Sequence, residues 1–121
     1  MSSIPYADDV LDPDTELLSI KEVAAILSVP GTRVEQMVRD GQLVALKRER
    51  VPFVPADFFA DGALVKGLVG TITVLSDSGF EPSEMLRWLF TEDDSLPGRP
   101  IDALRGNRGT EVKRRAQAMA F

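Results

Sequence analysis

The sequence predicts a mainly α chain with one small β-hairpin, arranged in three parts. These are a flexible acidic tail over 1–16, a helix–turn–helix–hairpin unit over 17–60 and a helical half over 61–121. Three observations carry the prediction. Apolar residues recur at helical spacing on both sides of the chain's middle. Between 43 and 54 that period gives way to two short apolar runs around a charged tip. The first sixteen residues hold Pro5, Pro13 and five acids with no base. At 121 residues the chain has room for one ordinary domain, or a small module with an extension.

Each element follows from local chemistry. In the tail, Asp8, Asp9, Asp12, Asp14 and Glu16 repel one another and the prolines break regularity, so no secondary structure is assigned. Residues 17–27 read as a short helix. Ser19 and Glu22 have capping-box spacing, and Ile20, Val23, Ala24 and Leu27 form one apolar stripe. Pro30 and Gly31 interrupt it. A second helix runs from about Thr32 to Asp40, with Val34, Met37 and Val38 inward and Arg33, Glu35, Gln36 and Arg39 outward. Gly41 suits its C-terminal end because glycine accepts a left-handed conformation.

The runs Leu43–Lys47 and Val51–Val54 flank Arg48-Glu49-Arg50 and read as a hairpin of edge strands, since Pro52 cannot donate to a central ladder. Pro55 to Phe59 reads as a first helical turn. Helices follow over 65–78, 82–91, 101–104 and 110–121. Met85, Leu86, Leu89 and Phe90 stripe the second of these, and Val112, Arg115, Ala116 and Met119 share one side of the last. In the first of them, β-branched Thr71 to Val74 make a strand a competitor, but length favours a helix.

Composition removes whole classes of chemistry. There are no cysteines and no histidines, which excludes disulfides, thiolate zinc sites, cysteine nucleophiles and imidazole bases. No nucleophile–base pair, phosphate loop or metal spacing stands out, so neither an enzyme nor a cofactor is expected. Glu92, Asp93 and Asp94 read as a solvated acidic loop. No basic-then-apolar leader and no apolar run near ~20 residues is present, so a cytoplasmic protein without a membrane segment is expected. The net charge of −5 equals that of residues 1–16 alone, leaving the body neutral with a basic end: six bases and two acids over 99–121. The acidic whole therefore argues only weakly against a nucleic-acid partner.

The pattern Ser19, Ile20, Glu22, Val23, Ala24, Leu27, Val29, then Val34, Met37, Val38, Gly41 and Leu43 resembles the winged helix-turn-helix of the MerR and excisionase type. The segments 5–14, 87–91 and 114–121 extend the likeness to nearly the whole chain. They look like a small actinobacterial family of DNA-binding proteins, whose mycobacterial members pair a winged helix-turn-helix with a helical C-terminal domain. The resemblance implies double-stranded DNA as partner, the second helix as major-groove reader and the hairpin as wing. Thr32, Arg33, Gln36 and Arg39 then become candidates for base or phosphate contact. Lys47, Arg48 and Arg50 become candidates for the backbone or minor groove, and Lys21 for a phosphate. A transcription regulator or nucleoid-associated protein is implied, as a monomer in preference to a homodimer.

Residues 88–89 and 98–104 also resemble the toxin-binding domain of Xre-type antitoxins, which implies an alternative role in which C-terminal helices bind a partner protein. The same Trp88, Leu89, Ile101 and Leu104 also read as helical core. Thr15, beside Glu16, is a candidate phosphoacceptor for a regulatory kinase, as are Ser2 and Ser3. The acidic tail is expected to compete with DNA phosphates for nearby bases.

Overall fold

The computed structural model describes residues 4–96 and 98–119. Strand β1 (Leu17–Ser19) leads directly into α1 (Ile20–Leu27) and then α2 (Gly31–Arg39). The junction at Ser19 is the expected capping box. Its hydroxyl oxygen accepts from the Glu22 amide at 3.1 Å, and the Glu22 carboxylate accepts from the Ser19 amide at 2.9 Å. Two orphaned helix donors are thereby satisfied. Leu17 and Leu18 lie outside the helix in which the sequence places them. They pair antiparallel with Pro55 and Val54, and that ladder draws their backbone into an extended form.

Ser28 closes α1 in a left-handed conformation at φ 57°, and Gly41 follows α2 at φ 76°. Val23 and Ala24 of α1 are buried with Val34, Met37 and Val38 of α2, which is the inward face the apolar spacing predicts. A wing follows, made of β2 (Leu46–Arg48) and β3 (Val51–Pro55). The sheet order is β1-β3-β2, so β3 is central and not the edge strand that Pro52 suggests. The chain tolerates the proline because β1 stops at Ser19, opposite Phe53. Antiparallel pairs alternate their bonding side. With Arg48 and Val51 closing the hairpin, the Pro52 nitrogen faces the space beyond the end of β1. At the tip, Glu49 and Arg50 both take positive φ, 52° and 69°, as a two-residue hairpin of this twist requires.

Pro55 to Phe59 does not begin an α-helix. Ala56–Phe58 is a single 3₁₀ turn, and β4 (Phe59–Ala60) then pairs with β5 (Ala63–Leu64). Asp61-Gly62 supplies their turn at φ 53° and 77°. This Asp-Gly pair between short apolar runs is the signal for a second hairpin.

The rest is helical: α3 (Leu68–Asp77), α4 (Pro82–Leu89), α5 (Pro100–Arg105) and α6 (Gly109–Ala118). β-branched Thr71 sits inside α3 without cost to its hydroxyl, which donates to the Gly67 carbonyl at 2.9 Å. Met85, Leu86 and Leu89 are buried as predicted. The last helix begins at Gly109, one residue ahead of the start that the sequence suggests. Of the predicted inward side of α6, Val112 and Ala116 are buried, while Arg115 and Met119 are exposed. Phe121 lies outside the described residues, as do Ser2 and Ser3.

The buried side chains form one continuous cluster across both halves. Phe58, fully buried, meets Phe90 at 5.9 Å between ring centroids. Arg105 donates to the carbonyls of Asp57 at 2.9 Å and Phe59 at 2.6 Å, tying α5 to the end of the wing. No helix among the described residues is long and apolar enough to cross a membrane.

The first sixteen residues depart most from expectation. From Ile4 onward the segment is packed, not free. Ala7 is buried and bridges β2 in parallel: its amide donates to the Ala45 carbonyl at 2.8 Å, and its carbonyl accepts from Lys47 at 3.2 Å. The acids do repel, but Arg48 and the exposed ladder edge of β2 offer them a partner, and Ile4, Tyr6, Val10 and Leu11 pack on the core.

Candidate nucleic-acid interface

Burying Val34, Met37 and Val38 turns the other side of α2 outward. Thr32, Arg33 and Arg39 are exposed there, and Gln36 is half-buried. The four are not equivalent. Arg39 donates to the Gln36 side-chain oxygen at 3.1 Å, and Gln36 donates onward to the Asp40 carboxylate at 2.7 Å. This relay orients Arg39 and occupies both ends of the Gln36 amide. Thr32 and Arg33 make no side-chain hydrogen bond or ion pair among the described residues. Lys21, exposed in the first turn of α1, likewise faces water.

The wing bases are placed differently. Arg50 is exposed at the tip, held in its strained conformation. Lys47 lies with its ammonium 5.0 Å from the centre of the Tyr6 ring, a cation–π distance. Arg48 is gripped by the N-terminal segment. It donates to both Asp9 carboxylate oxygens, at 2.6 and 3.1 Å, and to the carbonyls of Asp12 and Pro13 at 3.4 Å. The hydrogen bond from Arg48 holds the Asp9 carboxyl below the usual carboxylate range. Tyr6 is pushed upward, first by burial and then by the Glu35 carboxylate on α2. Tyr6 thus sits beside Lys47 of the wing and within the electrostatic reach of Glu35 on α2.

Sequence reasoning brought α2 and the wing together but missed Tyr6 and Asp9 as members of the surface. The alternation Ala7-Asp8-Asp9 beside apolar Val10-Leu11 is the available signal for a docked segment. Thr15 is half-buried, and its amide donates to the Asp12 carbonyl at 2.9 Å. In the C-terminal half, Leu89, Ile101 and Leu104 are buried, and Trp88 remains half-buried.

Two short packed helices with a β-hairpin beside them define a winged helix-turn-helix protein, here followed by a helical C-terminal domain. Residues 3–59 match the family model described as the wHTH domain of DNA-binding protein Rv2175c. Residues 65–120 match that described as the Rv2175c C-terminal domain of unknown function. The chain belongs to the Rv2175c family. It is 43% identical to DNA-binding protein Rv2175c of Mycobacterium tuberculosis (strain ATCC 25618 / H37Rv), over all of this chain and 92% of that protein. The fold matches the NMR structure of Rv2175c with a TM-score of 0.88 at 44% identity, covering 99% of this chain and 91% of the other.

Proposed function

We propose that the protein binds double-stranded DNA as a transcription regulator or nucleoid-associated protein, as a monomer in the cytoplasm, with α2 in the major groove and the wing on the backbone. The observation that carries this reading is the outward face of α2. Arg33 and Arg39 project from a helix whose opposite side is locked into the core, so both are presented on a rigid support. Arg33, without a side-chain partner among the described residues, pairs with guanine N7 and O6 or with phosphate, and Thr32 beside it serves either. Arg50 and Lys47 take phosphates, and Lys21 adds a contact from α1. The M. tuberculosis relative carries the name of a DNA-binding protein, which supports the same reading.

Duplex affinity is expected to fall steeply as salt rises. Arg33→Ala with Arg39→Ala is expected to lower affinity about a hundredfold, at about 1–3 kcal/mol per contact, with the melting temperature unchanged. Wild-type affinity in that variant would move the interface away from α2.

The reading extends to control. Thr15 lines a hollow of about 310 Å³ that it shares with Arg87 and Arg99. A phosphate placed there by a regulatory kinase has Arg87 in the same hollow, together with Arg99, which already pairs with Asp102, and the acids Asp12 and Glu92. Thr15→Glu is expected to weaken duplex binding at low salt; unchanged binding removes Thr15 from the scheme.

A further inference from the structure

The basic end of the chain is divided by the fold into two kinds of cation. Arg99 is bound to Asp102 at 2.7 Å, and Arg105 donates to the Asp57 and Phe59 carbonyls in the segment after the wing. Arg108 pairs with Glu111 at 3.6 Å, and Arg115 with Asp93 at 3.5 Å. Lys113 and Arg114 remain exposed and have no ion-pair partner among the described residues. Lys66, just ahead of α3, is exposed and equally unpaired among them. Lys66 and Lys113 are brought together by the packing of α3 on α6. They line one open hollow of about 430 Å³ with Gly67, Gly70, Asn107, Gly109 and Thr110.

The chemistry of that lining is one-sided. Among the described residues, no acid and no large apolar side chain borders it. Its side chains are two ammonium groups, an amide and a hydroxyl, which suit an anion rich in oxygens and repel a cation. Glu111, next to Thr110 in sequence, is paired with Arg108, and Asp61 borders the adjoining hollow that Lys66 and Asn107 also line. Gly70 adds a second point. Glycine inside a helix costs about 0.5–1 kcal/mol relative to alanine. Among the described residues, nothing lies within 4 Å of where its Cβ would stand, so internal packing does not demand it. A Cβ there would instead stand on the border of the hollow that the two lysines share.

We propose that Lys66 and Lys113 form a second contact with the DNA backbone, in which the C-terminal domain seats a phosphodiester over Gly70. The proposal rests on the DNA-binding reading above and gives the C-terminal domain a role in it. The occupant is a duplex and not a small phosphate compound because the hollow is open and its two ammonium groups are exposed. This arrangement meets a projecting charged ridge but does not enclose a free ligand. The contact stands apart from α2. The reading helix ends against the other end of α3, where Arg39 and Asp40 share a cavity with Ser76 and Gly79. Ten residues of α3 separate the two ends, about 15 Å at 1.5 Å per residue. The protein then grips phosphates beyond the few base pairs that one helix reads.

The test uses the full chain and a random-sequence duplex, titrated at several salt concentrations. Lys66→Gln with Lys113→Gln is expected to lower affinity about tenfold at 50 mM salt. The slope of log affinity against log salt should shrink by about 1.8, at about 0.9 for each phosphate that is no longer neutralised. Lys66→Arg with Lys113→Arg is expected to restore both, which separates charge from folding. In the wild type, duplex addition should shift the amide resonances of Gly67, Gly70 and Thr110. The proposal is overturned if the glutamine variant keeps wild-type affinity and slope while Arg33→Ala with Arg39→Ala still weakens binding. It is also overturned if inorganic phosphate moves those amides and the duplex does not. A wild-type chain that binds no duplex would instead remove the DNA-binding reading itself, and this contact with it.

Discussion

On α2, Arg33 and Thr32 face solvent with no side-chain partner among the described residues. On the wing, Arg48 makes four hydrogen bonds to Asp9, Asp12 and Pro13, and Lys47 lies over Tyr6. Arg33 and Thr32 on α2 and Arg50 at the wing tip are thus left available, while Arg48 is already answered by the N-terminal segment and Arg39 is oriented by Gln36. In the proposed complex, an approaching duplex meets Arg33 and Thr32 at once. To use Arg48 it must replace a bidentate carboxylate with a phosphate, an exchange of one charge-assisted pair for another. Under the DNA-binding reading proposed above, the Asp9–Arg48 grip acts on the wing and does not engage Arg33, so it is expected to tune backbone affinity more than sequence choice.

Removing the internal competitor should have the largest effect on that contrast. Asp9→Asn keeps the shape of the side chain and discards its charge. Arg48 is then free for phosphate, and duplex affinity at 50 mM salt should rise about three- to tenfold, with the gain vanishing toward 500 mM as screening flattens the difference. A filter-binding or anisotropy titration at both salt levels reads it. If Asp9→Asn binds as wild type does at low salt, the pair is structural only and the two surfaces do not differ in availability.

A smaller effect is expected at the wing tip, where conformation and charge pull apart. Arg50 holds φ 69° beside Glu49 at 52°, positions that a tight hairpin of this hand usually fills with Asn or Asp followed by Gly. Arg50→Gly should relieve that strain and raise stability by about 0.5–1 kcal/mol, the gain reduced by glycine's extra freedom in the unfolded chain. Duplex affinity should fall a few-fold at the same time. Opposite signs in thermal melting and in binding would mean that Arg50 is kept for contact at the expense of the turn. A variant that loses stability would mean that its side chain supports the hairpin.

How much of this was legible in the sequence depends on the range of the forces involved. Ser19 with Glu22, the stripes Val23–Ala24 and Val34–Met37–Val38, and Gly41 after α2 are local patterns, and each is found where its spacing places it. The winged helix-turn-helix was legible for that reason. Leu17 and Leu18 were misplaced because their strand exists only through β3, some 36 residues on at Val54. Pro52 misled because its missing donor excludes it from a paired edge and not from a strand whose neighbour has ended. The tail was misread because charge density and proline content describe an isolated segment. They do not register that Ala7 fits the free edge of β2 or that Arg48 stands opposite Asp9. For the candidate contacts, the outward face of α2 followed from periodicity. The engagement of Arg48 did not, since its partner lies 39 residues away.

The finest test of the contrast is acid. Arg48 favours the ionised form of Asp9, so the folded-state pKa lies below the ordinary aspartate value. A carboxyl depressed on folding contributes stability that is fully present above its unfolded pKa, near about 4, and that is lost as pH falls through the lower folded value. The pair is partly solvated, with side-chain exposures of 25% for Arg48 and 28% for Asp9, so the contribution is small. Asp102, held down by Arg99, and Asp93, held down by Ser95, respond in the same direction and blur the total acid response. The informative quantity is therefore the difference in melting temperature between wild type and Asp9→Asn. It should be constant from about pH 7 to about pH 5 and should shrink below about pH 4, where wild-type Asp9 takes up its proton and comes to resemble the amide. A difference that persists unchanged at about pH 3 would mean that it does not come from the charge of Asp9, and the contacts of Arg48 with the Asp12 and Pro13 carbonyls would then hold the segment without it.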